Sequence, residues 1–507
     1  MPSGAIIRAR LRAVSGRPEA RLLLAGQLAE RGSGPEAVQH IAAAARDGFP
    51  AAQTRLALCY LHGLGVPHSL TEARHWLERA AEAHHAAAQT WLATLALNGI
   101  SGPYRRGLFA EPEAGAPDYV LAASLARRAA NAGSPEARAL LATILSIAPA
   151  TTDTRDEADA LFRQSAEAGW PMGQLGHAMT LLRVGTPDAV QKARDLLSAA
   201  ACSGLPTAHF LLGAIAESGA MAESGAESGA DTAAAVPHYR TAAEHGHTAA
   251  KTRLGLALLT GRGTGRNLVE AETWLRRAAL DGDALAAAVL GDFHASHDRR
   301  PPDLAAAAHW YRHAAELGHP GSARALARTI AAGAMGKPDP GEIAAWLETA
   351  IEGGEASAWP ELGGLIASAA LPADQLPALH GWLQRMIQED RPEAGYYVGI
   401  CVNNGIGTPA DFVLARRYYL WAAGEGVIEA MVAAGEMLLN GRGGRADPDL
   451  AWALFEYAGK RNHAGANYAL GVIAGNRGGD AMVHFRRAAA LGHQKAKVLT
   501  ESGLAAA

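Results

Sequence analysis

The most regular feature of the chain is a spacing of large and small apolar residues. In RHWLERAAEAHH around Trp76, ETWLRRAALDGD around Trp274, HWYRHAAELGH around Trp310 and AAWLETAIEGGE around Trp346, a large residue is followed four positions later by a small apolar pair. Charged residues fill the positions between, so the segment reads as an amphipathic helix, here called helix B. Aligned on the large residue, the anchors are His40, Trp76, Leu125, Leu161, Leu196, His238, Trp274, Trp310, Trp346, Trp382, Tyr418, Leu454 and His484. Their spacings are 36, 49, 36, 35, 42, six successive intervals of 36, and 30. The chain is therefore a repeat array over about residues 18–495, with tails at 1–17 and 496–507.

Eight residues after each anchor stands Gly48, His84, Gly133, Gly169, Gly204, Gly246, Gly282, Gly318, Gly354, Asp390, Gly426, Asn462 or Gly492. Glycine, with His, Asp and Asn as the exceptions, is the composition of a site at positive φ. The column predicts a left-handed residue ending helix B. A second helix, A, starts just beyond it. Its columns are small (Ala52, Ala250, Ala286, Ser322, Ala394, Ala430), then apolar four later (Leu56, Leu254, Leu290, Leu326, Val398), then often glycine (Gly255, Gly291, Gly363, Gly399, Gly435). These offsets describe one helical face, and its small residues predict close approach of a neighbouring helix. Helix A ends at a Gly-x-Gly turn in Gly63/Gly65, Gly261/Gly263, Gly405/Gly407 and Gly441/Gly443, a turn that the units near Leu161, Leu196 and Trp382 lack. A lone helix pair cannot bury its apolar face, whereas stacked pairs can, which predicts an all-α solenoid of about thirteen units.

Two units are longer than the rest. One carries ISGPYRRGLFAEPEAGAPDY, residues 100–119, and the other ESGAMAESGAESGAD, residues 217–231. The first brings Tyr104, Arg105, Arg106, Leu108 and Phe109 into a loop, a candidate binding excursion. The second is a low-complexity duplication that reads as a flexible loop.

Composition changes this picture little. With 507 residues, 49% hydrophobic and 19% charged, the chain is neither disordered nor membrane-like, and it exceeds one ordinary core. A net charge of −4 gives no electrostatic reason for a nucleic-acid partner. Cys59, Cys202 and Cys401 are too few and scattered for a disulfide framework. The N-terminus has no apolar signal core and no run is long enough to span a bilayer, so the expected location is cytoplasmic.

The segment AAQTRLALCYLHGLGVPHSLTEARHWLERAAEAH, Ala51 to His84, resembles the Sel1-like repeat family, relatives of the tetratricopeptide repeats, and the likeness recurs from Ala249 to Gly282 and from Glu429 to Asn462. The resemblance implies a right-handed α-α superhelix used as a protein-binding scaffold, often in bacterial signalling or envelope assembly. It also implies that helix A lines the concave face. A cysteine-rich branch of the family is described as β-lactamase-like, with two cysteines per unit; no unit here has two, and no SxxK nucleophile with SDN and KTG partners is present. GRGTGRN, Gly261 to Asn267, lacks the GxxxxGK[ST] of a phosphate loop.

His309 and His313 sit four apart, half of a zinc site on a helix. Both follow repeat columns, however, as does His319, whose slot also holds His85, His247, His463 and His493. His294, in an apolar column, reads as a core histidine. We therefore expect no enzyme, no cofactor and no metal, and a protein or peptide partner on the helix A face. The candidate contacts are Glu393, Tyr396, Ile400, Asn403, Asn404, Glu429, Glu436 and Asn440, where amide, aromatic and acidic groups gather. Asp292, Arg324 and Arg328 occupy the same columns further back. An assembly scaffold for envelope or polysaccharide export is the alternative role.

Overall fold

In a computed structural model, residues 17–30, 32–100, 115–147, 152–219, 231–296 and 301–501 are described. Tyr104, Arg105, Arg106, Leu108 and Phe109, and most of the 217–231 insertion, lie outside them. Among the described residues every regular element is helical and there is no strand. Thirteen B helices carry the thirteen anchors, from Gly34–Arg46 to Ala481–Ala490. Each follows an A helix, from Pro18–Ala29 to Ala464–Asn476, and a further helix, Gln494–Glu501, packs on the last B helix and buries Ala496. The chain is an α-solenoid of paired helices. Its contacts divide it into two compact units, residues 1–274 and 275–507, with the boundary inside the helix Leu268–Leu280. Within each, A and B helices alternate and pack on their sequence neighbours.

The helix boundaries follow from local chemistry. All thirteen stop residues have positive φ, from 56° at Asp390 to 99° at Gly426. The geometry is the Schellman turn: the Val427 N–H donates to the Ala422 carbonyl at 3.1 Å and the Gly426 N–H to that of Ala423 at 3.1 Å. Most B helices start on a side-chain cap, as where Asp411 Oδ1 accepts from the Val413 and Leu414 N–H groups at 2.9 and 3.0 Å, whereas Ser33 and Gln375 give Gly34–Arg46 and Leu376–Gln388 none. Such a cap contributes about 1 kcal/mol.

The two glycines of the Gly-x-Gly turn serve different ends. The first supplies positive φ, 71° at Gly405 and 64° at Gly441. The second is also pressed against the start of the preceding unit's B helix: a Cβ on Gly443 would overlap the Phe412 carbonyl oxygen, and one on Gly263 that of Thr232. The expected close approach at the helix A glycines also takes a definite form. A Cβ at Gly291, Gly399, Gly435 or Gly471 would enter the ring of Tyr311, Tyr419, Phe455 or Phe485, the residue just after the B anchor. Large on B fits small on A, and the ring fills the space a side chain would take.

Candidate functional site

The face to be judged as a binding surface is built from A helices, so its geometry begins with what starts them. His247, His319, His463 and His493 are N-caps: each Nδ1 accepts a backbone N–H, from Ala250, Ser322, Ala466 and Ala496, at 3.2, 3.1, 3.1 and 3.3 Å. Histidine does here what Asp does for B helices, and only a neutral ring with a free Nδ1 lone pair can do it. Burial holds the His247 and His493 imidazoles below the usual histidine range, with Lys495 adding to it at His493. The histidines that raise the zinc question therefore have separate tasks. His319 caps a helix, His313 Nε2 lies 3.1 Å from the Ala279 carbonyl, and His309 meets Trp310 edge-on at 5.7 Å. His294 is 3% exposed, edge-on to Phe293.

One column links successive A helices. In several units the residue two after the small column touches the residue at the N-cap position of the next A helix. Thr54 Oγ1 lies 2.9 Å from His85 Nδ1, Phe210 stacks on His247 with centroids 4.5 Å apart, and Tyr468 stacks on His493 at 4.3 Å. At the same place Arg324 meets the Glu355 carboxylate at 3.8 Å, and Tyr396 joins an apolar cluster with Val427. Hydrogen bond, ring stack and ion pair exchange at one joint.

Tyr396 thus has two faces. Its ring packs against Tyr397 and Tyr419, at 5.1 and 5.9 Å, and its hydroxyl has no hydrogen-bond partner among the described residues. Burial pushes that hydroxyl up, and the Glu429 and Glu436 carboxylates push it further. Glu393, Ile400, Asn403 and Asn404 share the helix Pro392–Asn404 with it; Glu429 and Glu436 lie on the helix Ile428–Leu439, and Asn440 follows as its C-cap. Ile400 is half-buried against the core, and Asn440 turns back on the Glu436 carbonyl at 3.0 Å. Asn403 donates to Asn404 Oδ1 at 2.8 Å, while its own Oδ1 is buried without a partner. Asn404 lines a separate cleft of about 290 Å³ with Ile366, Leu371 and Leu376. Of the predicted set, Glu429 and Glu436 come near Tyr396 and Glu393 near Tyr397, while Asn404 faces a different cleft.

Sequence reasoning missed one part of this face. Glu436 and Leu439 open with Gly465, Tyr468, Ala469, Val472, His493, Gln494 and Lys495 onto a cavity of about 540 Å³. Counting back from the B anchor fails there because the last interval is 30 residues rather than 36. Counting forward from the small residue Ala466 would have placed Tyr468 in the column of Tyr396.

The charges on this face are unlike those further back. Arg324 reaches Glu361 at 2.7 Å and Arg328 reaches it at 3.7 Å, and Asp292 accepts from the Tyr311 hydroxyl at 2.8 Å. Glu393, Glu429 and Glu436 have no cation within ion-pair distance among the described residues. Burial pushes the Glu436 carboxyl up, although part of the side chain is open to solvent, with His463 acting against the shift. Cys59 and Cys401 are buried thiols, Cys401 raised to about 11 by burial, and Cys202 is exposed.

Paired helices with a glycine stop and a Gly-x-Gly turn define a solenoid repeat protein. The Sel1 repeat model matches residues 50–85, 86–134, 206–247, 248–283, 284–319, 392–427, 428–463 and 466–493, more than half of the chain, which belongs to the Sel1 repeat family. No curated protein matches it. Among solved structures, a protective antigen of uropathogenic Escherichia coli strains displaying an SLR fold is 22% identical over 92% of this chain and 94% of its own, with a TM-score of 0.49. A Sel1 repeat protein from Oxalobacter formigenes is 22% identical over 65% of this chain and 92% of its own, with a TM-score of 0.44. Sel1 repeat arrays generally mediate protein–protein contact and are typically not enzymes. Among the described residues no helix is long and apolar enough to cross a membrane.

Proposed function

We propose that this protein is a non-enzymatic scaffold, acting in the cytoplasm in bacterial signalling or complex assembly, that holds a peptide or protein on the A-helix face of residues 392–476. The observation that supports this reading is the contrast in pairing. The polar groups at Asp292, Arg324 and Arg328 are satisfied by other residues of the chain, whereas Glu393, Glu429, Glu436, the Tyr396 hydroxyl and Asn403 Oδ1 are not. Unsatisfied groups beside half-buried apolar surface are what a partner's backbone and side chains would complete.

The test is capture from a lysate with the full chain, comparing wild type with Tyr396→Ala, Asn403→Ala and the B-helix control Arg487→Ala. A contact residue at the centre of a site costs more than about 1 kcal/mol on truncation. Loss of the same captured protein with Tyr396→Ala and Asn403→Ala, and retention with Arg487→Ala, supports the site. Equal capture by all four folded proteins refutes it.

A further inference from the structure

Resting on the reading of the A-helix face as the binding surface, we infer that the cleft between the helices Ile428–Leu439 and Ala464–Asn476 receives a lysine or arginine side chain from an otherwise apolar segment of the partner. The cleft has the shape and the polarity for one such side chain. Leu439, Ala469, Val472 and the Tyr468 ring supply apolar wall, and Glu436 stands at one lip. A cavity of about 540 Å³ is ample for the aliphatic stem and its neighbours. Lysine and arginine bury such stems along apolar surface while the charged head seeks a carboxylate or water.

The charge argument has two parts. Glu436 is the carboxylate at the lip, and none of the cations on the described residues pairs with it. Lys495 also lines the cleft and makes no ion pair with Glu436, so the cleft carries one carboxylate and one ammonium that do not neutralise each other directly. His463 is the basic group that acts on Glu436, and its Nδ1 is committed to capping the helix that begins at Ala464. Glu429 and Glu393 continue the negative side toward Tyr396, which both Glu429 and Glu436 influence. A cation entering beside Glu436 gains an ion pair that the free protein lacks, and a second cation further along would meet Lys495. An anionic segment would place its charge against three unpaired carboxylates, a repulsive arrangement. The favoured occupant is therefore a single basic residue flanked by apolar ones.

The experiment selects 12-residue peptides from a random display library on the full-length protein, then measures the synthetic winners by fluorescence anisotropy. The expected winners carry Lys or Arg next to aliphatic or aromatic residues. Replacing that cation by norleucine should weaken binding at least tenfold, as should Glu436→Gln, while Lys495→Gln, which removes a like charge from the cleft, should tighten it. Glu436→Gln is compared with wild type in thermal melting, so that a folding loss is not mistaken for a binding loss. Winners without a cation, binding indifferent to Glu436→Gln, or no winners at all overturn the inference. Binding lost with Tyr396→Ala yet indifferent to Glu436→Gln would leave the A-face reading standing and remove this one; indifference to both removes both.

Discussion

Residues 392–463 and residues 320–391 each contain two repeat units of the same length, built by different means. The first pair matches the family model and the second does not. In 392–463, the Gly-x-Gly turns at Gly405/Gly407 and Gly441/Gly443 bring the loop onto the neighbouring helix, and Gly399 and Gly435 receive the rings of Tyr419 and Phe455. In 320–391, the slots of the second turn glycine hold Met335 and Leu371, and those of the B-helix aromatic hold Leu347 and Leu383. The core is rebuilt from elsewhere: Trp359 stacks on Tyr397 at 5.4 Å and lies 5.6 Å from Trp382, and Tyr397 occupies the space over Gly363. What survives in both is the backbone. Gly354 and Asp390 keep the left-handed stop, and Gly333 and Ala369 keep the left-handed turn, with Ala369 at φ 51° although it is not glycine. The comparison teaches that the repeat conserves dihedral angles more strictly than the residues that make them easy.

The largest expected effect breaks this comparison at the second turn glycine. Gly443→Ala places a Cβ on the Phe412 carbonyl oxygen at a φ of 75°, so overpacking adds to conformational strain. The two together should cost more than about 3 kcal/mol. Gly336→Ala, in the other region, has a φ of 108° but nothing within 4 Å, and should cost only the strain, roughly 1–2 kcal/mol. Urea unfolding of the two variants measures the difference; equal losses would mean that the close approach at Gly443 relaxes without cost.

At the stop residues the two regions should respond alike. Gly354→Val and Gly426→Val, at φ 90° and 99° with no neighbour within 4 Å, should each lose about 1–3 kcal/mol. The corresponding Asn variants should lose less, since Asn462 already holds φ 63°. Thermal melts in which Val and Asn are equivalent at either site would contradict a conformational origin.

A smaller effect has the opposite sign. Ala369→Gly removes left-handed strain at an exposed position and should stabilise residues 320–391 by about 1 kcal/mol, net of the entropy glycine adds to the unfolded chain. A higher urea midpoint checks it, and an unchanged or lower one would show that Ala369 is not under strain.

The contrast also shows what could be read from the amino acids. The period, the helix pairs and all thirteen stops were legible because each is a local demand repeated many times: a glycine, Asp, Asn or His where φ must be positive, and Ala where helices touch. The ring over glycine was half legible, since Gly399 and Tyr419 belong to columns 20 residues apart whose meeting depends on packing. The capping histidines were legible only as a repeat column, and the structure supplies the hydrogen bond that explains the column at His247, His319, His463 and His493. Of the proposed binding face, residues 393–440 could be named because their units keep the 36-residue interval. Tyr468, Val472 and Lys495 could not, because the shortened last interval shifts the columns, and the partnerless state of Glu436 is a property of three dimensions.

The smallest effect sharpens the comparison through pH. In residues 320–391, burial and the nearby Glu352 carboxylate push the Glu348 carboxyl up to about 7, against the pull of Arg385. Trp382 and Arg385 both donate to Glu352, at 2.9 and 2.8 Å, which leaves Glu348 the less supported of the two carboxylates. A carboxyl raised on folding binds its proton more tightly in the folded state, so its region gains stability as pH falls from about 7.5 toward 5. At the other end, His493 caps the helix Gln494–Glu501 in its neutral form and is held below the usual histidine range. A histidine lowered on folding contributes stability that is complete above its ordinary value near 6.5 and declines as pH falls through the window beneath it. Lowering the pH from 7.5 to 5.5 should therefore raise hydrogen-exchange protection in residues 340–388 and lower it in 464–501, after correction for the intrinsic exchange rate. Glu348→Gln should abolish the first change and raise protection at pH 7.5. His493→Asn should abolish the second, because Asn caps a helix without titrating. Changes of the same sign in both regions would show that the stability of each is governed by groups other than these two.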